Sequence, residues 1–461
     1  MSFEEQRLEE LCELVIDCPH STPKWTDAGF IVLRNQNIRN GVLDLSTPSF
    51  TDEDGYKSRI KRAKPRVNDI VFTREAPMGE VCLIPEGLEC CLGQRQVLLR
   101  ANNEVDPYYL FWALQSPYVQ HQISWNEGTG TTVSNVRIPV LKDLKIPRLG
   151  IAESWIAETM TSLALKSQVN GKINQILEQM AQALFKSWFV DFEPVKAKIA
   201  VLEAGGSQEN ATLAAMTAIS GKDTGALVIF EREHPEQYAE LKVTAELFPS
   251  AMQESELGYI PEGWKPGCIG NISHRIKTKV GSSSAVVLSA VASGELVSSD
   301  EHFTKQVYSK SIEKYILVEQ WSFAYNPSRI NIGSIGLNVR SLNGAVSPVY
   351  VVFKTEPEYK WYIEILTKTT YFKSNVNILA SGSVRQSLSY DDLASIPLCI
   401  PEVIIVNIFN EKYEAYLSLI EKYRNQNNTL VSIRDTLLPK LLSGEITLPE
   451  AEQAVSEVEN V

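Results

Sequence analysis

The chain repeats itself at an interval of 251 to 254 residues, and this imperfect duplication limits the folds open to it. "VNDIVF" (67–72) aligns with "VEQWSF" (318–323), and "LGQRQVLLR" (92–100) aligns with "VSPVYVVFK" (346–354). Farther along, "LEQMAQALFKSWF" (177–189) aligns with "LVSIRDTLLPKLL" (430–442). Self-similarity at a fixed interval indicates a repeated structural module. The sequence therefore predicts two copies of one module.

Each copy begins with a globular part of about 140 residues that mixes strands and helices. Short β-branched and aromatic runs, such as "DIVFTR" (69–74) and "AVVLSAV" (285–291), are separated by Gly, Pro and Asn and predict strands. "PYYLFWALQSPYVQHQI" (107–123) and "EYKWYIEILTKTTYFKSNV" (358–376) predict helical segments. We therefore predict an α+β fold with two pseudo-repeated domains, at residues 1–150 and 259–402.

A long helix is predicted after each globular part, at residues 151–190 and 403–445. Positions there recur at alternating steps of four and three, the heptad spacing of a coiled coil. The second seam consists of Phe409, Tyr413, Tyr416, Ile420, Tyr423, Asn427, Leu430, Arg434, Leu437 and Leu441, and the first lies 253 residues earlier. Asn174 and Asn427 are equivalent, and a polar seam residue can fix the register of a helix pair. We predict antiparallel pairing, because a helix that leaves each domain has to return toward the other.

Charge is distributed unevenly along a chain whose net charge is −12. Twelve acids and five bases lie between Asp191 and Glu256, so residues 191–258 are interpreted as an acidic linker or a loosely structured insertion. Residues 446–461 are interpreted as a C-terminal tail. The opposite bias occurs in "YKSRIKRAKPR" (56–66), which has six bases and no acid. Such a run is either a solvated loop or a surface for phosphate contacts.

Two loops that occupy the same place in the repeat raise the question of a ligand. "WNEGTGTTVSN" (125–135) resembles a phosphate-binding glycine loop, but its counterpart "LASGSVRQS" (379–387) lacks the second glycine. Neither loop continues into a nucleotide-binding motif. Both keep a glycine followed by a hydroxyl residue, Thr131 in the first copy and Ser383 in the second. They are interpreted as structural turns or as turns that face a nucleic acid.

The sequence shows no recognisable catalytic cluster. The five histidines are scattered, and no motif for binding a methyl donor is present. The E-x-K at 358–360 is the one of interest for a metal-dependent nuclease, but its Glu358 opens a predicted helix. Seven cysteines without a C-x-x-C favour a reduced compartment and argue against a zinc site. An acidic N-terminus and the lack of an 18-residue apolar run argue against a signal peptide and a membrane span. We expect a cytoplasmic binding protein without a metal.

The order of globular domain and long helix, twice over, resembles the specificity subunit of Type I restriction–modification systems. "SELGYIPEGW" (255–264) resembles the entry to that family's second target-recognition domain, and "ALFKSWFVDFEPVKAK" (183–198) resembles the end of its first conserved helix. "RDTLLPKLLSGEI" (434–446) is similar to the end of its second helix. The segment 191–254 is longer than a minimal subunit of this family needs.

The resemblance implies that each globular domain is a target-recognition domain, which reads one half of a split double-stranded DNA target. The two helices would hold these domains apart and dock two modification subunits, which carry methyl transfer and use S-adenosylmethionine. Restriction subunits, which are translocase–nucleases that use ATP and Mg, would join the complex. The chain itself would bind no cofactor and no membrane, and would neither methylate nor cleave DNA.

Polar loop residues are the candidate DNA contacts. Those predicted to contact phosphates are Lys57, Arg59, Lys61, Arg62 and Arg66. Those predicted to reach base edges are Arg74, Gln94, Arg95 and Gln96, because Arg suits guanine and Gln suits adenine. The remaining candidates, some of which lie in the two glycine loops, are Thr129, Thr131, Tyr325, Asn326, Arg329, Asn331, Ser347, Ser383 and Arg385. The alternative is a duplicated coiled-coil adaptor that joins other proteins without binding DNA, but it leaves the basic run and the repeated polar loops unexplained.

Overall fold

The computed structural model describes residues 4–125, 135–303, 308–309, 311–381, 387–443 and 445–459. The chain forms two compact units, of which the first contains residues 1–172 with 422–461 and the second contains residues 173–421. Both long helices therefore contribute residues to both units. No single helix among the described residues is long and apolar enough to cross a membrane. The helices at 208–220 and 224–233 reach that length and composition only when taken together, and their axes form a bend of 85°.

The first unit combines sheets and helices. Its strands are β1 (Glu4–Arg7), β2 (Cys12–Asp17), β3 (Trp25–Thr26), β4 (Phe30–Leu33), β5 (Ile38–Arg39), β6 (Val42–Leu43), β7 (Ser49–Thr51), β8 (Ile70–Thr73), β9 (Val81–Leu83), β10 (Cys90–Leu92), β11 (Gln96–Ala101) and β12 (Lys145–Arg148). Its helices are α1 (Leu8–Leu11), α2 (Glu53–Arg59), α3 (Pro107–Gln115), α4 (Pro117–Trp125), α5 (Ile138–Asp143) and the first part of α6 (Ala152–Phe185). One sheet has the order β2-β11-β8-β9 and another the order β10-β4-β7-β3.

The second unit has corresponding elements. Its strands are β13 (Met252–Ser255), β14 (Gly258–Pro261), β15 (Lys265–Cys268), β16 (Ser273–Ile276), β17 (Val286–Ala290), β18 (Leu296–Ser298), β19 (Ile316–Val318), β20 (Ser322–Tyr325), β21 (Ile335–Leu337), β22 (Gly344–Val346), β23 (Val351–Thr355) and β24 (Pro397–Ile400). Its helices are α7 (Glu193–Glu203), α8 (Gln208–Ser220), α9 (Thr224–Glu233), α10 (Pro235–Leu247), α11 (Ser299–His302), α12 (Lys360–Leu366), α13 (Thr370–Ser381), α14 (Tyr390–Ala394) and the first part of α15 (Val403–Ser443), while α16 (Leu448–Glu459) belongs to the first unit. A π-helical turn, Lys186–Val190, extends α6, and 3₁₀ turns occur at Asn35–Asn37, Ile269–Asn271, Ile330–Ile332 and Pro357–Tyr359.

Strand β8 shows why the core of the first unit has two sides. All four of its residues are buried. Side chains along a strand alternate between the two faces of the sheet, so both faces must be covered here. Ile70 and Phe72 pack into the cluster that contains α3 and α4, whereas Val71 packs with Leu33 and Cys90 of the other sheet. The central sheet therefore lies between helices and a second sheet.

The duplication and the α+β fold are confirmed by sheet topology. The order β16-β23-β20-β21 in the second unit reproduces β2-β11-β8-β9 with the same antiparallel pairings. Each unit also has a parallel strand pair, β4 with β10 and β17 with β22, and an antiparallel pair, β1 with β12 and β15 with β24. The two units therefore share the arrangement of the central sheet and of these strand pairs.

The alignment of "VNDIVF" with "VEQWSF" at an interval of 251 is wrong by two residues. Asn68 and Trp321 both have a left-handed backbone, and their N–H groups donate to the equivalent carbonyls of Ile84 and Asn338. Phe72 therefore corresponds to Tyr325, at an interval of 253. A slip of two residues returns every side chain of a strand to the same face, so the apolar pattern is unchanged by it.

The two long helices are antiparallel within each unit, as predicted. In the first unit Asn170 contacts Gln426, and Asn427 donates a hydrogen bond to the carbonyl of Ser167, three residues earlier on α6. In the second unit the ring of Trp188 lies 6.3 Å from that of Phe409. Earlier on α6 and later on α15, Glu178 lies near Tyr413, whose pKa is raised by burial, by Glu364 and by Glu178.

The acidic segment is not loosely structured, and this part of its interpretation is wrong. Helices α7–α10 fill most of residues 191–258. Three of them, α8, α9 and α10, share a core of Ala215, Met216, Leu227, Leu241 and Ala245. Local capping explains the helix starts, since the side chains of Ser207 and Asp223 accept hydrogen bonds from N–H groups in the first turns of α8 and α9. The predicted C-terminal tail likewise contains α16, whose Ala451 is buried in the first unit.

Candidate nucleic-acid interface

Several polar residues of the first unit meet where β8 ends. Arg74 directly follows this strand, and its backbone N–H donates to the carbonyl of Arg95, 2.8 Å away. Arg95 lies in the turn between β10 and β11. Strand pairing therefore places two loops side by side that are about 20 residues apart in the sequence.

The guanidinium of Arg74 forms hydrogen bonds with three other residues of this cluster. It donates to the carboxylate of Asp17 at 3.0 and 3.1 Å, to the carbonyl of Val136 at 2.9 Å and to the side-chain oxygen of Asn135 at 3.4 Å. The side chain of Arg74 is only 12% exposed. Its prediction as a base contact is therefore corrected: Arg74 ties the end of β2 to the residues that follow loop 126–134. Asp17 and Asn135 were missed, because only the fold brings them to Arg74.

Arg95 and Gln94 are the exposed members of the cluster. Arg95 has a left-handed backbone, with φ of 66°, and its side chain is 54% exposed and lies 3.1 Å from Glu75. A left-handed arginine is strained, so the surrounding turn must hold it in place. Gln94 donates to the carbonyl of His20 at 2.7 Å. Both residues present polar groups to solvent beside Arg74.

Gln96 is 0% exposed, and its prediction as a base contact is wrong. Its side-chain oxygen accepts a hydrogen bond from the N–H of Gly93, 3.0 Å away. The residue begins β11, and alternation along that strand directs its side chain inward while the side chain of Arg95 remains exposed. Gln96 therefore shapes the turn and does not face a ligand.

The basic run contains both exposed and buried residues. Lys57, Lys61, Arg62 and Arg66 are exposed. Arg62 reaches the cluster at β8, because its guanidinium donates to the carbonyl of Asp17 at 3.3 Å. These four cations remain accessible to a polyanion.

Arg59 is the exception in the basic run, and its prediction as a phosphate contact is wrong. It is buried, and its guanidinium donates to the carbonyls of Leu92 at 2.8 Å, Ser21 at 3.1 Å and Pro19 at 3.4 Å. Burial lowers the pKa of this guanidinium. Arg59 thus holds residues 19–21 in place. Within this segment the carbonyl of His20 accepts the hydrogen bond from the side chain of Gln94.

The second unit repeats this arrangement with different side chains. The N–H of Leu388 donates to the carbonyl of Pro327 at 3.1 Å, just as the N–H of Val136 donates to the carbonyl of Arg74 at 3.1 Å. The segment that closes each glycine loop therefore returns to the end of the matching strand. Arg329 and Asn331 are exposed in the turn after β20. Asn326, at the start of that turn, and Ser347, which directly follows β22, are partly buried.

Tyr325 is fully buried, which corrects its prediction as a DNA contact. It lies within β20, and its hydroxyl donates to the carbonyl of Leu388 at 3.2 Å. The two-residue slip in the sequence alignment placed it one step beyond the strand. Thr129, Thr131, Ser383 and Arg385 lie outside the described residues.

The described residues offer donors and cations but no metal-binding cluster. No group of three or more His, Cys, Asp or Glu side chains in this part of the chain could hold a metal ion. Cys90 and Cys91 are buried free thiols, whose pKa values burial raises to about 12 and about 11. Such thiols are unreactive at neutral pH. The arrangement is suited to binding an extended anion through exposed Arg, Lys and amide side chains.

Comparison with known proteins finds similarity to one family. A model described as the Type I restriction modification DNA specificity domain matches residues 2–179. The chain is 31% identical over 315 residues to the HindI specificity subunit of Haemophilus influenzae, an alignment that covers 63% of this chain and 66%, just under two thirds, of that relative. It is 22% identical over 400 residues to the MjaIX specificity subunit of Methanocaldococcus jannaschii, covering 83% of this chain and 78% of the relative.

A solved structure shares the fold. The S subunit of a Type I restriction–modification system from M. genitalium superposes with a TM-score of 0.51, at 15% sequence identity, over 96% of each chain. At this level of identity the likeness concerns the arrangement of the elements.

Proposed function

The chain belongs to the family of Type I restriction–modification specificity subunits, and from this premise we propose that it recognises a two-part sequence in double-stranded DNA. Each unit would read one part. We propose further that the chain itself catalyses no reaction and acts in the cytoplasm. Methyl transfer with S-adenosylmethionine, and ATP- and Mg-dependent restriction, would belong to partner subunits.

The ends of β8 and β20 carry this proposal, because in each unit the segment that closes a glycine loop returns there and an exposed arginine lies close by. In the first unit this is Arg95, whose turn between β10 and β11 pairs with Arg74, and in the second unit it is Arg329, in the turn after β20. Exposed Lys61, Arg62 and Arg66 add positive charge to the first unit, although the whole chain is acidic. Phosphate contacts position a protein on DNA and side chains at the groove edges read bases, so both roles have candidates.

Exposed apolar side chains support the docking of modification subunits on α6. In the first unit Leu165 and Val169 are exposed, and in the second unit Ile176 and Met180 are exposed. Steps of four and seven keep these positions on one helical face, away from buried seam residues such as Met160. Two modification subunits, and restriction subunits in addition, are the partners we propose.

The test is duplex binding by the purified full-length chain, alone and with its co-expressed modification subunits, measured by fluorescence anisotropy over a range of salt concentrations. The duplex would carry the motif that the complex methylates in a methylation-free host. We expect the double variant Lys61→Ala and Arg66→Ala to weaken binding and to reduce the slope of log affinity against log salt by about 2.

Lys242→Ala is the matched control, because Lys242 is an exposed lysine on α10 of the helical insertion. It should leave the salt slope unchanged. A chain that binds no duplex in either preparation, yet still assembles with partner proteins, would favour the adaptor alternative instead.

A further inference from the structure

Trp125 and Ile378 are large apolar side chains that lie in solvent next to the glycine loops. Trp125 is the last residue of α4 and is 79% exposed, and Ile378 lies near the end of α13 and is 72% exposed. Residues 126–134 follow the first helix in the sequence, and residues 382–386 follow the second. Single exposed apolar residues are common on proteins, so exposure alone assigns no role.

The two residues occupy the same place in the repeat. They are 253 residues apart, which is also the interval between the first residues of α4 and α13. Two inward positions of these helices match as well, since Val119 and Ile123 are buried in α4, and Phe372 and Val376 are buried in α13. The two copies have thus kept an exposed, bulky apolar side chain at one position while its identity differs.

In the first unit, α4 packs against the turn between β8 and β9, whose Glu75 lies 3.1 Å from the exposed Arg95. Gln120 donates to the carbonyl of Gly79 at 3.0 Å. A Cβ added to Gly79 would lie 2.9 Å from the side-chain oxygen of Gln120 and 3.5 Å from a methyl carbon of Ile123. Gly79 ends the turn that begins at Arg74 and connects β8 to β9. Trp125 therefore follows directly after the helix residues that touch this turn.

In the second unit, α13 packs against the equivalent turn. It contacts the 3₁₀ segment Ile330–Ile332, which lies between Arg329 and Gly333. Gly333 has a left-handed backbone with φ of 93°, as Gly79 does with φ of 85°. Ile378 therefore lies on a helix that borders Arg329 and Asn331.

We propose that Trp125 and Ile378 are apolar DNA contacts, which each unit presses against one base step of its own half of the target. The inference rests on the proposed function. Duplex DNA is the occupant that fits, because α4 borders the turn whose Glu75 pairs with the exposed Arg95, and α13 borders the exposed Arg329 and Asn331. Apolar wedges that partly unstack a base step are a common device of proteins that deform DNA, and aromatic side chains stack on bases. Each residue would then contribute to sequence specificity at one base step of the DNA target without forming hydrogen bonds to the bases.

The experiment uses the full-length chain with its modification subunits and the methylated-motif duplex. 2-Aminopurine replaces each adenine of the duplex in turn, because its fluorescence rises where a base step unstacks. We expect the wild type to raise the fluorescence at one position in each half-site. Trp125→Ala should abolish one signal, Ile378→Ala the other, and each should weaken binding roughly tenfold.

Conservative variants and distant controls separate contact from folding. Trp125→Phe and Ile378→Leu should largely restore both the signals and the affinity. Ile151→Ala and Val243→Ala remove exposed apolar side chains elsewhere and should change neither readout.

Normal affinity and fluorescence in both alanine variants would overturn the inference, while the lysine and arginine variants could still support DNA binding. Loss of assembly with the modification subunits, with unchanged binding by the chain alone, would also overturn it and assign the two residues to a protein interface. Failure of the wild type to bind any duplex would overturn the proposed function itself.

Discussion

Lys57 and Arg59 lie two residues apart on α2, yet their surroundings are opposite. Lys57 is exposed and lies 2.6 Å from Glu53, one helical turn away. Arg59 is buried, and backbone carbonyls accept its hydrogen bonds. A buried guanidinium that loses its partners, or carbonyls that lose their donor, cost far more than a rearranged surface ion pair. The same type of charge is therefore structural at one position and available to a ligand at the other.

Arg59→Met should lower the free energy of unfolding by about 3 kcal/mol, because three carbonyls lose their donor. Lys57→Met should leave it within about 0.5 kcal/mol of wild type. Urea unfolding followed by circular dichroism measures both. Equal stabilities of the two variants would show that the hydrogen bonds of Arg59 contribute nothing net.

Arg95 gives a second prediction, because its left-handed backbone carries a cost that glycine avoids. Arg95→Gly should raise the free energy of unfolding by about 1 kcal/mol and should also weaken duplex binding. Arg95→Ala keeps the strained backbone, so it should weaken binding without that gain in stability. Urea unfolding and anisotropy measure the pair, and normal affinity in both variants would remove Arg95 from the interface.

At the scale of elements, polar residues interrupt the apolar seam of the helix pair. Within the first unit the side chain of Asn170 donates to Gln426 at 2.8 Å, and that of Asn427 to the carbonyl of Ser167 at 3.3 Å. The side-chain oxygen of Asn427 is buried without a hydrogen-bond partner among the described residues. Such a layer lowers stability and favours one register over others.

Replacing Asn170 and Gln426 together by leucine should raise the melting temperature by a few degrees, because apolar packing replaces an amide pair in which Asn170 is buried and Gln426 is partly buried. The register should also become less strictly defined. Disulfide trapping between cysteines introduced at Leu163 and Leu430 would measure the native register, and a neighbouring pair one turn away would measure the slipped one. A lower melting temperature would contradict the expected gain.

Lys198 anchors the helical insertion. Its ammonium group is buried and donates to the carbonyls of Glu246 and Phe248, near the end of α10. Burial lowers its pKa. Lys198→Met should lower the melting temperature by several degrees, because two carbonyls lose their donor. Lys196→Met, an exposed change on the same helix, is the control, and an equal effect of both would contradict this role.

At the scale of the whole molecule, the duplication predicts independent reading by the two units. The structure refines the exchange that tests it, since residues 259–402 include Trp264 and Tyr362, which pack with Phe189 of the helical region. Exchange of 259–402 for the corresponding segment of a relative, with both aromatic residues retained, should alter one half of the methylated motif. Methylation mapping of the host genome measures this, and a change in both halves would show joint reading.

Local patterns in the sequence predicted the class of fold. The duplication, the strands at residues 69–74 and 285–291, and the heptad spacing of the long helices are all confirmed, while one of the aligned segments was two residues out of register. These features depend on short-range periodicity and on the burial of one helix face, which the order of residue types records directly. The arginine-bearing loops of the candidate interface were predicted for the same reason, as polar segments that follow strands.

Only the tertiary structure decided which polar residues face solvent. Arg59, Arg74, Gln96 and Tyr325 belong to suitable residue types, but strand pairing and packing turn them inward. The register of β20 also needed the structure, because a slip of two residues preserves the apolar pattern. The acidic segment folds because a few small and apolar side chains of three helices, α8, α9 and α10, pack together, a contact that its charge conceals. Composition describes residues one at a time, whereas burial depends on which distant residues meet.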